Sequence, residues 1–173
     1  MLPLTEAEVR ASLINCSAEE AERLTLPPWF HDAPWDDLDY LGWIDPRAER
    51  RAYIVANGGL VGIRLRVPHQ PAAAMRTTMC AVCLTSRPAG GVSLMVAPRA
   101  GDAQAQLNTI GTYICNDLAC SLYIRGMRSP GRGIPARETL DARAAAQRLR
   151  SNLAAFLARV VGDEVAAPRA GGN

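Results

Sequence analysis

Four of the five cysteines in this 173-residue chain fall into two short pairs. Cys80-Ala81-Val82-Cys83 is a CxxC, and Cys115-Asn116-Asp117-Leu118-Ala119-Cys120 is a CxxxxC. Zinc takes thiolates tetrahedrally, and structural sites usually draw two ligands from each of two short loops. The spacing therefore predicts one closed, structural zinc ion held by Cys80, Cys83, Cys115 and Cys120. A catalytic zinc would keep an open position and typically include histidine or a carboxylate. The two histidines, His31 and His69, lie outside the motif. A zinc deaminase would need H-x-E with P-C-x-x-C, and Met79 stands where that proline belongs. A thioredoxin-like CxxC leaves the second pair unexplained, and two widely separated pairs suit zinc better than an iron–sulfur cluster. Cys16 has no cysteine neighbour and reads as a small buried or half-buried residue.

The second pair dictates what must position it. Within one continuous helix, residues five apart point about 140° away from each other, so both sulfurs could not reach one ion. The conflict disappears if Cys115 ends a strand, Asn116 or Asp117 caps a helix, and Cys120 lies in its first turn. Knuckle, hairpin and ligand-bearing helix N-terminus together make a treble-clef finger. Structural zinc supplies about 10–16 kcal/mol of apparent binding free energy in small fingers, against about 5–15 kcal/mol of total stability for a typical domain. Residues 75–126 are accordingly expected to depend on the metal for their fold.

The surrounding elements are read from periodicity and punctuation. Residues 5–25 predict a helical hairpin or broken helix, with two capping boxes, Thr5 with Glu8 and Ser17 with Glu20, and a stop at Pro27-Pro28. Trp29–Pro46 interleaves Trp29, Phe30, Trp35, Tyr40 and Trp43 with five aspartates, and reads either as an irregular segment pinned onto the core, the favoured reading, or as a docking surface. Residues 51–67 predict a hairpin turning at Asn57-Gly58-Gly59, with Val61, Ile63, Leu65 and Val67 inward and Gly62, Arg64 and Arg66 toward solvent. Pro68 and residues 71–74 read as a linker. The strand Val92–Ala97, a polar loop over 98–106 and the strand Asn108–Ile114 form the zinc hairpin. A short helix runs from Leu118 to Arg125, and residues 128–137 form a second linker. A long amphipathic helix covers Glu138–Val161, its apolar face formed by Leu140, Ala144, Leu149, Leu153, Phe156, Leu157 and Val160. The predicted fold class is α+β: an N-terminal helical, aromatic-rich segment (1–47), a treble-clef zinc domain of small antiparallel hairpins with a long C-terminal helix (48–162), and a disordered tail (163–173).

All nineteen basic side chains are arginine. Residues 1–50 carry a net charge of −7 and residues 51–173 one of +9, with +8 concentrated between Arg51 and Arg137. A basic domain of this kind favours an anionic partner, such as RNA, a ribosome or an acidic protein face. No apolar run reaches the roughly 20 residues of a membrane helix. The N-terminus lacks the pattern of a secretory signal, which argues against a disulfide framework for the five cysteines, an odd count that also leaves one unpaired. The expected location is the cytoplasm. No nucleophile–base pair, P-loop or dinucleotide fingerprint is present, so a non-catalytic protein with no small-molecule substrate is expected.

The run from Cys80 through Gly91-Val-Ser-Leu, and from Gly111-Thr-Tyr-Ile-Cys115 through Cys120-Ser-Leu-Tyr-Ile-Arg-Gly126, resembles the C-terminal treble-clef domain of the FusB-type elongation factor G-binding proteins. The resemblance covers about residues 48–160. It implies one structural zinc on Cys80, Cys83, Cys115 and Cys120, and a cytosolic protein that binds elongation factor G at the ribosome. Family members promote the factor's release, which in resistance-conferring members counters the antibiotic fusidic acid. Those members carry aromatic and basic residues near the knuckle and before the third cysteine, where this chain has Ala81 and Asn108-Thr109-Ile110. The arginines and the tyrosine that flank the knuckle, the hairpin end and the short helix, namely Arg87, Arg99, Tyr123, Arg125 and Arg128, are the expected partner contacts. The other reading is a basic zinc protein that binds RNA without the factor.

Overall fold

A computed structural model describes residues 1–69, 77–101, 107–130 and 140–162. The predicted 71–74 linker and the tail from 163 lie outside these residues, as do most of the 98–106 loop and of the 128–137 linker. Two short helices, α1 (Glu6–Ala11) and α2 (Ala18–Glu22), open the chain. A five-stranded antiparallel sheet follows, in the order β1-β2-β3-β6-β7. Its strands are β1 (Leu41–Ile44), β2 (Arg51–Ala56), β3 (Val61–Arg66), β6 (Val92–Pro98) and β7 (Thr109–Cys115). A two-stranded ribbon, β4 (Thr78–Met79) with β5 (Ser86–Arg87), carries the first cysteine pair. The short helix α3 (Cys120–Ile124) and the long helix α4 (Ala142–Val161) complete the fold.

Both capping boxes form. The Thr5 and Ser17 hydroxyls accept from the Glu8 and Glu20 amides, while the two glutamates reach back to the cap amides. Arg10 then ties the helices together by donating to the Ala21 and Glu22 carbonyls. Asp141 caps α4 through the Ala144 amide at 2.8 Å. Leu140 therefore precedes α4 and is exposed. The buried stripe of α4 comprises Ala145, Ala146, Leu149, Leu153, Phe156, Leu157 and Val160.

The sheet is covered on both faces, which explains why β2 is apolar and buried without interruption from Ala52 to Ala56. Tyr53 and Val55 point with Leu41 and Trp43 toward Leu4, Val9, Leu24 and Phe30 of the N-terminal segment. Ala52, Ile54 and Ala56 point with Ile63, Leu65 and Met95 toward α4 and the cysteines. This corrects the expectation of a solvent face on β3 at Gly62 and Arg64, while Arg66 is exposed as expected. Gly62 forms a single parallel bridge with Leu13, and a Cβ added there would lie 2.3 Å from Ser12 Oγ. Arg64 pairs with Glu20 at 2.6 Å.

One buried side chain closes the sheet where it would otherwise gape. β3 and β6 share a single register pair, Arg66 with Val96. Beyond it, Asn15 donates from Nδ2 to the carbonyls of Arg64 (3.0 Å) and Pro98 (2.9 Å), and its Oδ1 accepts from the Arg64 amide at 2.7 Å. The aromatic segment is core for the most part. Phe30, Tyr40 and Trp43 are buried, with Trp43 stacked on Tyr53 at 5.0 Å, whereas Trp29 is exposed. That segment also contains β1, an edge strand hidden in the sequence by its brevity and its flanking aspartates. Among the described residues no helix is long and apolar enough to cross a membrane.

Candidate metal centre

The β4–β5 ribbon turns through the first cysteine pair. Within that turn the Cys80 amide donates to Thr85 O, the Leu84 amide to Cys80 O, and the Cys83 amide to Cys80 Sγ at 3.4 Å. Leu84 holds a left-handed conformation, φ +58°, which a side-chain-bearing residue adopts only at a cost. Hairpin β6–β7 delivers Cys115 at its last position, paired with Val92. The chain then crosses to Cys120 through Leu118, at φ +55°, and Cys120 is the first residue of α3.

The strand-end and helix-start placement of the second pair matches the sequence expectation, but the cap does not. Ala119 occupies the cap position of α3 and makes no side-chain cap bond. Asp117 instead accepts from the Ala119 amide at 3.2 Å, closing the turn before the helix. Asn116 reaches back to the Gly90 carbonyl of the preceding turn. The left-handed Leu118 shifts the helix start past the residues that could have capped it.

All four cysteines are fully buried, and their sulfurs lie within 4.8 Å of one another. Cys80 and Cys120 are 3.7 Å apart, as are Cys83 and Cys115. A zinc ion bound to four thiolates at about 2.3 Å spans edges of about 3.8 Å between sulfurs, so these two separations match edges of a tetrahedral cage. The protons alone cannot settle this cluster. Hydrogen bonds from Cys115 and then Cys120 push the Cys80 thiol down, while burial, followed by hydrogen bonding to Cys115, pushes Cys120 well up. Converting all four to thiolates in so dry a pocket requires a cation. The residues present fit one zinc ion.

Helix α4 braces the knuckle. Asn152 donates to Val82 O at 3.1 Å and Arg148 to Cys83 O at 3.4 Å. On the other side, the buried Asp39 carboxylate receives Arg125 at 2.6 Å and Arg150 at 2.7 Å, and the Asp39 amide donates to Ser121 Oγ. Asp39, Asn15 and Asn152 were not singled out in the sequence, because single buried polar residues leave no periodic signal.

The expected partner contacts fall into three places. Arg87 stacks on Tyr123 at 3.9 Å, the Tyr123 hydroxyl donates to Asp117 at 2.5 Å, and Arg128 pairs with the same carboxylate at 3.3 Å. Burial, and then that bond to Asp117, push the Tyr123 hydroxyl up to about 12. Arg125 is engaged with Asp39. Arg99 lies past the end of β6, at the opposite end of the hairpin from the zinc ligands and beside Gly162. Exposed apolar side chains border the knuckle: Met79, Leu84, Tyr113 and its cross-strand partner Leu94. The Tyr113 carbonyl accepts from the Ala81 amide within the CxxC. A groove of about 720 Å³ runs along the far side of the Asp117-Leu118-Ala119 turn, walled by Trp29, Pro34, Trp43, Leu122 and Met127.

Knuckle, hairpin and helix N-terminus around one four-sulfur cage define a treble-clef zinc protein. The chain belongs to the FBP C-terminal treble-clef zinc-finger family, whose model matches residues 8–160, the FusB-type family that the cysteine motifs resembled. The match begins in α1, well before the 48–160 over which the motifs are legible, in keeping with the part that Asn15 and β1 take in the sheet. Comparison with curated proteins returns no match, and comparison with solved structures returns none.

Proposed function

We propose that this is a non-catalytic, cytoplasmic translation protein that binds elongation factor G through its zinc-centred face and acts on the factor at the ribosome. What supports the reading is membership in the FBP treble-clef zinc-finger family, which the motifs tie to the FusB-type factor-binding proteins, in a chain whose knuckle is ringed by exposed Met79, Leu84, Leu94 and Tyr113. An apolar centre with a charged rim is the usual anatomy of a protein interface. Arg87 and Arg128 supply rim charges that can engage an acidic surface, whereas Arg99, at the far end of the hairpin, lies outside this face. Tyr123 and Arg125, held in internal contacts, contribute by fixing Arg87 and α3. Zinc acts here by holding the face in shape.

The test is affinity capture with the zinc-loaded protein against purified elongation factor G and ribosomes. Capture of the factor at moderate salt, weakened by Tyr113→Ala, is the expected result; no capture of either at low salt contradicts the proposal. One observation favours a second reading, RNA binding. Arg50 and Arg66 are exposed and carry no acidic partner among the described residues, and the cross-strand register sets Arg51 opposite Arg66. Phosphate contacts would make binding fall steeply with salt, so a steep slope that survives Tyr113→Ala would identify RNA as the partner.

A further inference from the structure

Tyr40 precedes β1, and its ring is buried among the residues that enclose the four sulfurs. Its hydroxyl is buried without a hydrogen-bond partner, unlike any other tyrosine hydroxyl among the described residues. Leaving a buried donor unsatisfied costs about 1–3 kcal/mol, so a hydroxyl kept at such a position calls for an acceptor. Burial above all, and then the nearby sulfurs of Cys120, Cys80 and Cys115, hold the Tyr40 hydroxyl in its protonated, donating form.

A neutral thiol is a weak acceptor. Once the cage holds zinc, the cysteines become thiolates, and four of them around a divalent ion leave a net charge of −2 on the site. Each sulfur is then a charged acceptor, and donors around it stabilise that charge. Cys80 Sγ has such a donor in the Cys83 amide. The position of the Tyr40 ring depends on residue 42: a Cβ there would lie 2.7 Å from Tyr40 Cε2 and 2.8 Å from Leu118 Cβ. Gly42 thus makes room for the ring beside the turn that joins the third and fourth ligands.

We propose that Tyr40 is a positioning residue of the zinc centre, its hydroxyl donating a hydrogen bond to the zinc-bound thiolate of Cys120. The donor comes from outside the finger, from the segment that leads into the edge strand of the sheet. Zinc binding and the docking of that segment are therefore coupled. The inference rests on zinc occupancy and not on the identity of the partner.

The test is Tyr40→Phe in the full chain, which keeps the ring and removes the hydroxyl, with Tyr53→Phe as control. Zinc affinity is read by competition with a chromophoric chelator, and zinc release by reaction with a thiol reagent. The expected result is zinc binding weakened about 10–100-fold, faster release and a lower melting temperature of the zinc-loaded variant, with Tyr53→Phe unchanged in affinity. Unchanged affinity with an equal or higher melting temperature would overturn the proposal, because removing a truly unpartnered hydroxyl relieves its burial cost. Absence of zinc from the wild-type chain by elemental analysis would overturn the metal centre itself, a distinguishable failure.

Discussion

Removing one sulfur from a closed four-thiolate cage leaves three thiolates, an open position and a void at the centre of the main core. Each of the four cysteines here is fully buried, and each packs in the same cluster as Ile54, Leu65, Ile114 and Leu153, so none can be replaced from solvent. Cys83→Ser is predicted to fall well below one zinc per chain by elemental analysis. Its thermal transition should drop by more than about 10 °C, since each kcal/mol lost is worth about 2–4 °C in a chain of this size. Full zinc content and an unchanged transition would contradict the cage. Arg128 with Asp117, by contrast, is a half-exposed pair of the kind that contributes at most about 1 kcal/mol.

At the scale of elements, the structure depends on polar clips between pieces that pattern alone does not join. Asn15 is the clearest: it satisfies the Arg64 amide and two carbonyls where β3 and β6 part. Asn15→Ala leaves those backbone groups buried and unpaired, and is predicted to cost about 2–3 kcal/mol in urea unfolding; a loss under about 0.5 kcal/mol would show the clip to be dispensable. What the sequence made legible follows the strength of each local signal. The two capping boxes, the β2–β3 hairpin and the apolar stripe of α4 each repeat a pattern several times, and each appears. The cysteine spacing located the strand end and the helix start because only that geometry lets residues 115 and 120 share an ion. β1 escaped notice because four residues flanked by aspartates are too few for a period. The cap of α3 was misassigned because Leu118 takes a left-handed backbone, which its residue type gives no reason to expect. The cover over β3 is not legible in the sequence because it is formed by Ser12 to Asn15, some fifty residues away.

At the scale of the whole molecule, the sheet is a shared wall. The N-terminal segment covers one face, α4 and the zinc cage cover the other, and Asp39 links the N-terminal segment to Arg125 of the finger and Arg150 of α4. A metal that organises one face of such a wall also sets the shape presented to a partner, so factor binding should depend on zinc. The most direct measurement is a calorimetric titration of purified elongation factor G with the chain, once zinc-loaded and once after chelation and buffer exchange. Saturable binding near one to one with zinc, lost on chelation and restored when zinc is returned, is the predicted result. No heat of binding with the zinc-loaded chain, or equal binding with and without the metal, would contradict the account.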